Sequence, residues 1–346
     1  MSVYRAGLVG CGRIGSEFDE DPKRKTVASH AGAYSSNPKT RLVAVSDSDK
    51  AKLDKCRARW NVPAAYPDYR EMLRSEDLDI LSICTWSTTH LPILQDAAQS
   101  KVKAIFCEKP LATKISDAEK MVDICRKKGI LLMVDHQRRF DTLHREIRGA
   151  ISAGRLGRVQ QATFYYTAGI ANTGTHMLDL LRFFFGDAAW VQGAYSENKS
   201  PNEQDPNIDG MVKFKNGVLC GIQACDVRSY LAFDLSIFGT EGRIDVCHSG
   251  FDARYYSVSD SDYFSGYKEL REAPHHFQKS AEKEGFMKQA VAHLVECLEQ
   301  KKEPLCKGED GLAALELICA LHESARNSGM RVELPLKNRE MEILSK

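Results

Sequence analysis

Tyr4-Arg5-Ala6-Gly7-Leu8-Val9-Gly10-Cys11-Gly12-Arg13-Ile14-Gly15 is a short β-type apolar run that ends in three glycines with the spacing G-x-G-x-x-G. Directly after a strand and opening a helix, this pattern predicts a dinucleotide site. Gly10 permits the tight turn, Gly12 lets the main chain approach a pyrophosphate, and Gly15 lets the helix pack close to the strand. The helix amino terminus then faces the phosphates. Arg13 and Ile14, at the variable positions, are counted with the glycines as cofactor-binding. Three glycines alone recur by chance, and the apolar strand before them is what gives the pattern its weight.

Working outward, β-type runs recur at Arg41 to Ser46, Ile80 to Thr85, Lys103 to Cys107 and Ile130 to Asp135. Helical patterns such as Ser48 to Trp60, Leu91 to Ser100 and Ile115 to Lys128 lie between them. Strand, helix, strand at this spacing predicts a parallel sheet. Asp47, after Leu42-Val43-Ala44-Val45, stands where an acidic residue binds the adenosine ribose, and its charge would repel a 2′-phosphate. NAD is therefore expected over NADP. Asp47 lies farther from Gly15 than the usual twenty or so residues because a polar segment, Glu17 to Lys25, interrupts the first crossover. That segment reads either as a solvated loop or as a lid near the cofactor cleft.

From about residue 158 longer alternating strands take over: Val159 to Thr167, Trp190 to Glu197, Gly210 to Lys215, Val218 to Asp226, Leu231 to Gly239 and Arg243 to Cys247. Lys215-Asn216-Gly217 and Thr240-Glu241-Gly242 read as turns, Glu197 to Pro206 as a surface loop, and Gly311 to Asn327 as a last helix. The expected fold is α/β, with an amino-terminal Rossmann parallel sheet and a carboxyl-terminal α/β domain carrying a large, mostly antiparallel open sheet. The boundary is placed at residues 1–138 and 139–346.

Composition narrows the partners. With 346 residues, 43% hydrophobic and 27% charged, the chain is an ordinary globular one. Lys plus Arg number 48 against 47 for Asp plus Glu, a formal charge of +1, so neither nucleic acid nor an anionic membrane is expected as a partner. No apolar run approaches a membrane span and no signal-peptide pattern is present, which predicts residence in the cytoplasm. The 11 cysteines are odd in number, scattered, and without Cys-x-x-Cys spacing, and read as reduced, mostly buried side chains. His275-His276 and the Cys220, Cys225 pair lack a partner cluster at ligand spacing, so no metal is expected.

Four motifs taken in order, Gly10 to Gly15, Cys107-Glu108-Lys109-Pro110-Leu111-Ala112-Thr113, Arg138-Arg139-Phe140 and Gly174-Thr175-His176-Met177-Leu178-Asp179-Leu180, resemble the glucose-fructose oxidoreductase, inositol dehydrogenase and rhizopine-catabolism (MocA) family. Gly311 to Glu316 and His322 to Ala325 resemble that family's carboxyl-terminal helix. The resemblance covers nearly the whole chain. It implies an NAD(P)-dependent dehydrogenase acting on the secondary alcohol of a sugar, cyclitol or nucleotide-linked sugar, assembled as a homodimer or homotetramer. Two other activities occur among such proteins: an NAD-retaining glycosidase working by transient oxidation, and a non-enzymatic nucleotide-sensing regulator. By the same resemblance Lys109 matches the active-site lysine, His176 the catalytic histidine and Arg138 a substrate-side arginine. Thr85, Trp86 and His90 match the loop at the nicotinamide half of the cofactor, and Glu108 joins the cofactor set with Lys109.

Removing a hydride from a carbinol carbon leaves an oxyanion unless a base takes the hydroxyl proton and a donor steadies the charge. Lys109 follows an apolar strand and precedes Pro110, which places it at a carboxyl strand end in extended backbone. Partial desolvation there should lower the pKa of its amine. Asn172, His176 and Asp179, spaced four and three apart, share one face of a helix starting near Asn172; Met177, Leu180, Leu181 and Phe184 lie on the other. Many relatives carry aspartate where this chain has Asn172, which can orient a ring but brings no charge. Asn172 is therefore grouped with the catalytic residues and Asp179 with the substrate-binding ones, as an alternative orienter of His176. Arg138 and Arg139 read either as bidentate anion binders or as salt-bridge partners at the domain junction.

Overall fold

The computed structural model describes residues 3–275, 277–280 and 285–344. Its contacts divide the chain into two units, Met1–Phe140 with Lys283–Leu315, and Asp141–Glu282 with Glu316–Lys346. The boundary between Leu315 and Glu316 falls inside a helix.

In the first unit, short, mostly apolar strands alternate with helices: β1 (Tyr4–Val9), α1 (His30–Ser36), β2 (Thr40–Ser46), α2 (Lys50–Trp60), β3 (Ala64–Tyr66), α3 (Tyr69–Ser75), β4 (Ile80–Ile83), α4 (His90–Ala97), β5 (Ala104–Cys107), α5 (Ile115–Lys128) and β6 (Leu131–Val134). Caps fix the helix ends. Asp49 accepts from Ala51 N and Lys52 N at the start of α2, and Gly129, at φ 66°, ends α5 in the left-handed region. The strands pair in the order β3-β2-β1-β4-β5-β6, all parallel. That is the doubly wound dinucleotide-binding order, whose topological switch lies between β1 and β4. β4 and β5 are buried along their whole length, as a sheet covered on both faces requires.

The second unit begins with α6 (Thr142–Ser152), β7 (Val159–Tyr166), α7 (Thr175–Phe185) and β8 (Ala188–Tyr195). It continues through β9 (Ile208–Phe214), β10 (Leu219–Ala224), β11 (Phe233–Gly239), β12 (Gly242–Cys247), β13 (Asp252–Asp260) and β14 (Lys268–Ala273). Helices α8 (Phe286–Gln300) and α9 (Gly308–Arg326) and strand β15 (Val332–Glu333) close the chain. Nine strands form one sheet in the order β14-β13-β12-β11-β7-β10-β9-β8-β15, antiparallel except between β7 and β10. Along β11 and β12 every second residue is buried, so one face carries the core. Phe185 of α7 packs edge-on against Phe214 of β9 at 5.4 Å, and burying each such ring contributes about 1.5–3 kcal/mol.

The α/β architecture, with a Rossmann parallel sheet followed by a mostly antiparallel one, agrees with the sequence reading. Two local expectations are corrected. The glycine turn does not open a continuous helix: a helical turn and a 3-10 segment, Glu17–Glu20, are followed by an excursion, and α1 starts only at His30. His30 N then donates to Ile14 O at 3.0 Å and Ala31 N to Gly15 O at 2.9 Å, as if the helix had resumed where it broke off. In an α-helix these donors would stand four residues on from their acceptors, so the excursion inserts twelve residues. Without it, Asp47 would stand twenty residues after Gly15, the customary spacing. The second correction concerns the Asn172, His176, Asp179 face. The helix itself starts at Thr175, after a π-type turn, Ile170–Gly174, and it is buried all round except at Arg182. α8 had not been anticipated; it packs on α1 within the first unit, where Phe140 and His293 rings lie 5.7 Å apart. Among the described residues no helix is long and apolar enough to cross a membrane.

Candidate active site

Because every strand of the first sheet runs the same way, the segments after β1, β2, β4, β5 and β6 all emerge at its carboxyl edge, where ligands bind in such folds. The predicted cofactor residues lie on these segments. Gly10, at φ 95°, presses against the end of β4: a Cβ there would sit 2.7 Å from the Cys84 carbonyl carbon. A Cβ on Gly15 would sit 2.0 Å from Gly10 O, whereas one on Gly12 would meet nothing within 4 Å. The turn is closed on its protein side and open beside Gly12, as a backbone that receives a pyrophosphate must be. Asp47 braces it: Oδ2 accepts from Cys11 N at 2.7 Å and Oδ1 from Asp49 N at 2.8 Å. These residues fit a bound dinucleotide, with Gly10 to Gly15 at the phosphates and Asp47 at a ribose.

The excursion after Gly15 is tied down within the first unit. Asp19 accepts from Ala28 N and from the Ser29 hydroxyl, Trp60 Nε1 donates to Ser16 Oγ at 2.9 Å, and Lys55 pairs with Glu20 at 2.7 Å. The guanidinium groups of Arg13 and Arg24 lie 5.0 and 4.0 Å from the Phe18 ring centre.

After β4, Trp86 is 62% exposed and Thr85 is half-buried. His90 is fully buried, its ring nitrogens 3.1 Å from Leu111 O and 3.0 Å from Thr85 O, so it ties two edge loops together, and burial lowers its pKa. After β5, Lys109 is half-buried and its peptide bond to Pro110 is cis. Glu108, 7% exposed, points inward and meets His30 and the Lys109 main-chain N–H. After β6, Arg138 is half-buried, while Arg139 is buried and donates to Leu305 O at 2.9 Å beside Asp310 at 3.2 Å. Arg139 thus takes the salt-bridge alternative, inside the first unit.

In the second unit, His176 and Asp179 lie on α7, both buried, and Asn172 is half-buried in the π-type turn. Asn172 Nδ2 donates to Ala168 O at 3.2 Å. The turn is organised by Asp205, which is 1% exposed. Its two oxygens accept from Ala171 N and Asn172 N, each at 2.8 Å, and a negative charge at a helix start is favourable. Gly169, at φ 93°, leaves the room: a Cβ there would sit 2.2 Å from the Asp205 carboxylate.

Sequence reasoning missed His30, Asp135 and Asp205. The twelve-residue insertion hides that His30 stands one helical turn past the glycines; Asp135 and Asp205 carry no local signal. His275 is described and His276 lies outside the described residues, while Cys220 is buried and Cys225 half-buried. Among the described residues, one group has ligand atoms at metal-like spacing: His30, Glu108 and Asp135.

The profile of the Gfo/Idh/MocA oxidoreductases, described as an NAD-binding Rossmann fold, matches residues 4–136, and the one for their C-terminal alpha/beta domain matches residues 167–334. The chain belongs to the Gfo/Idh/MocA oxidoreductase family. It is 27% identical to D-apiose dehydrogenase of Paraburkholderia graminis, over 96% of this chain and 90% of that one. It is 26% identical to myo-inositol 2-dehydrogenase of Thermotoga maritima, over 69% and 74%. Its fold is that of the WlbA dehydrogenase of Bordetella pertussis, solved with NADH and UDP-GlcNAcA, with a TM-score of 0.77 and 23% identity over 97% and 100% of the two chains. As a Gfo/Idh/MocA protein the chain is an oxidoreductase with an NAD-binding Rossmann fold, and its relatives are named dehydrogenases of sugars and inositol.

Proposed function

We propose that this Gfo/Idh/MocA protein oxidises or reduces a secondary alcohol of a sugar, cyclitol or nucleotide-linked sugar, using NAD in preference to NADP. The observation that carries the reading is the common carboxyl edge. The glycine turn, Asp47, Thr85 with Trp86, Lys109 and Arg138 all follow strands of one parallel sheet. The full-length likeness to D-apiose dehydrogenase supports the substrate class.

NAD, when bound, supplies the hydride acceptor. The rest falls to side chains. Lys109 takes the hydroxyl proton during oxidation and returns it during reduction, through a Nζ whose ammonium form is stabilised by the Glu108 charge behind it. His176 acts with it on the proton, held on an α-helix whose remaining face is packed. Asn172 binds a substrate hydroxyl, fixed through its own main chain by Asp205. Arg138 and Asp179 complete the substrate contacts. The assembly expected from the family resemblance is a homodimer or homotetramer.

NADH absorbance tests this, with NAD or NADP against inositols, free sugars, amino sugars and nucleotide sugars, for the wild type, Lys109→Ala and His176→Ala. One substrate class should yield NADH with NAD, and Lys109→Ala should lower kcat by about 100- to 10,000-fold while NAD still binds. A wild type that binds NAD yet oxidises nothing on the panel overturns the reading, and so does a Lys109→Ala variant with unchanged turnover.

A further inference from the structure

Three side chains from different elements meet behind Lys109: His30 at the start of α1, Glu108 after β5 and Asp135 after β6, with their facing atoms within 4.8 Å of one another. His30 Nε2 lies 3.1 Å from Glu108 Oε1 and 3.9 Å from Asp135 Oδ2, and the two carboxyls face each other with oxygens no more than 4.8 Å apart. All three are buried. The far side of the imidazole is 2.8 Å from Ser82 Oγ, which is 2.8 Å from Tyr34 OH. Cys84, Cys107 and Lys109 complete the titratable surroundings.

Two ionised carboxylates are acceptors only, so carboxyls facing each other in a buried site can bond to one another only when one of them carries a proton. Charge leads to the same count. Two buried negative charges this close need compensation. His30 supplies none, because burial lowers its pKa to about 4. Lys109 supplies one positive charge, felt by both carboxyls. One proton closes the balance without a metal ion. Burial raises the pKa of both acids, and the Glu108 charge raises that of Asp135 further.

We propose that Glu108 and Asp135 share a single proton at neutral pH, with His30 fixing the pair, and that the one negative charge left on them sets the position and ionisation of Lys109. The proposal rests on the reading of Lys109 as the proton-handling group. A fully ionised pair would hold Lys109 permanently as ammonium, and a fully protonated pair would give the ammonium no support. The singly charged pair lies between these limits, so that Lys109 can accept the hydroxyl proton and release it. Asp135 and His30 are accordingly positioning residues, acting through Glu108.

Infrared spectroscopy of the full chain at neutral pH tests the sharing. The wild type should show the carbonyl stretch of a protonated carboxylic acid, lost in Glu108→Gln and in Asp135→Asn alike, because whichever carboxyl remains ionises beside Lys109. Should a variant fail to fold, a pH titration of the wild type decides: the band should persist well above the ordinary carboxylate range near pH 4. Competitive acylation read by mass spectrometry should also show the Lys109 pKa falling by about one unit or more when both carboxyls are replaced. Three results overturn the proposal: no such band in the wild type, a band retained in Glu108→Gln, or a stoichiometric metal ion in the purified chain. None of these readouts needs turnover, so their failure is distinct from failure of the dehydrogenase reading.

Discussion

Asp47 shows how one side chain links the fold to cofactor choice. Its carboxylate closes the glycine turn through Cys11 N and the start of α2 through Asp49 N, and the same negative charge is the one expected to meet the ribose hydroxyls. Asp47→Asn keeps the size and one acceptor oxygen but removes the charge. Losing a hydrogen bond to a charged group costs about 1.5–3 kcal/mol, so NAD should bind roughly 10- to 100-fold more weakly. NADP, relieved of repulsion at its 2′-phosphate, should lose much less or gain. Equilibrium titration with both dinucleotides checks this. If both weaken by the same factor, Asp47 serves the turn alone and sets no preference.

At the scale of elements, what the sequence discloses depends on how local the cause is. Tyr4 to Gly15 is legible because strand, turn and glycine contacts all lie within one short stretch, and the 3-2-1-4-5-6 strand order follows from repeated strand, helix, strand units. The resumption of the broken helix at His30 depends on bonds to Ile14 and Gly15 across an excursion that leaves no periodic trace. Asp205 is the same case in the second unit. It stands in a stretch read as a surface loop, yet it is buried and holds the turn that carries Asn172 from 33 residues away. Asp205→Ala leaves two main-chain N–H groups without their acceptor, at about 1–3 kcal/mol each. The expected result is a lowered unfolding midpoint and a KM for the sugar raised several-fold, with NAD affinity unchanged. Equal losses in sugar and NAD binding would mean that the damage spreads beyond the turn.

Across the whole molecule, each unit buries a histidine in its neutral form: His30 in the first and His322 of α9 in the second, both with pKa lowered to about 4, chiefly by burial. The unfolded chain takes up these protons near pH 6.5. Between about pH 6.5 and 4 the folded chain therefore binds fewer protons than the unfolded one, and stability rises with pH through this window. The contribution is complete above it and lost as pH falls to 4. In the first unit Glu108 and Asp135 pull the other way, since their raised pKa makes the folded state the better proton binder. His322 is the cleaner probe. Its ring meets Tyr195 OH at 3.3 Å, and Arg326 adds to the lowering. His322→Asn removes the titration. From about pH 7 to pH 4, the wild type should lose on the order of 3 kcal/mol more stability than the variant. Hydrogen exchange on β8 and α9, followed by mass spectrometry across that range, reads the difference where it arises. Parallel curves for wild type and variant would mean that His322 titrates alike in the folded and unfolded chain, its burial offset by a partner.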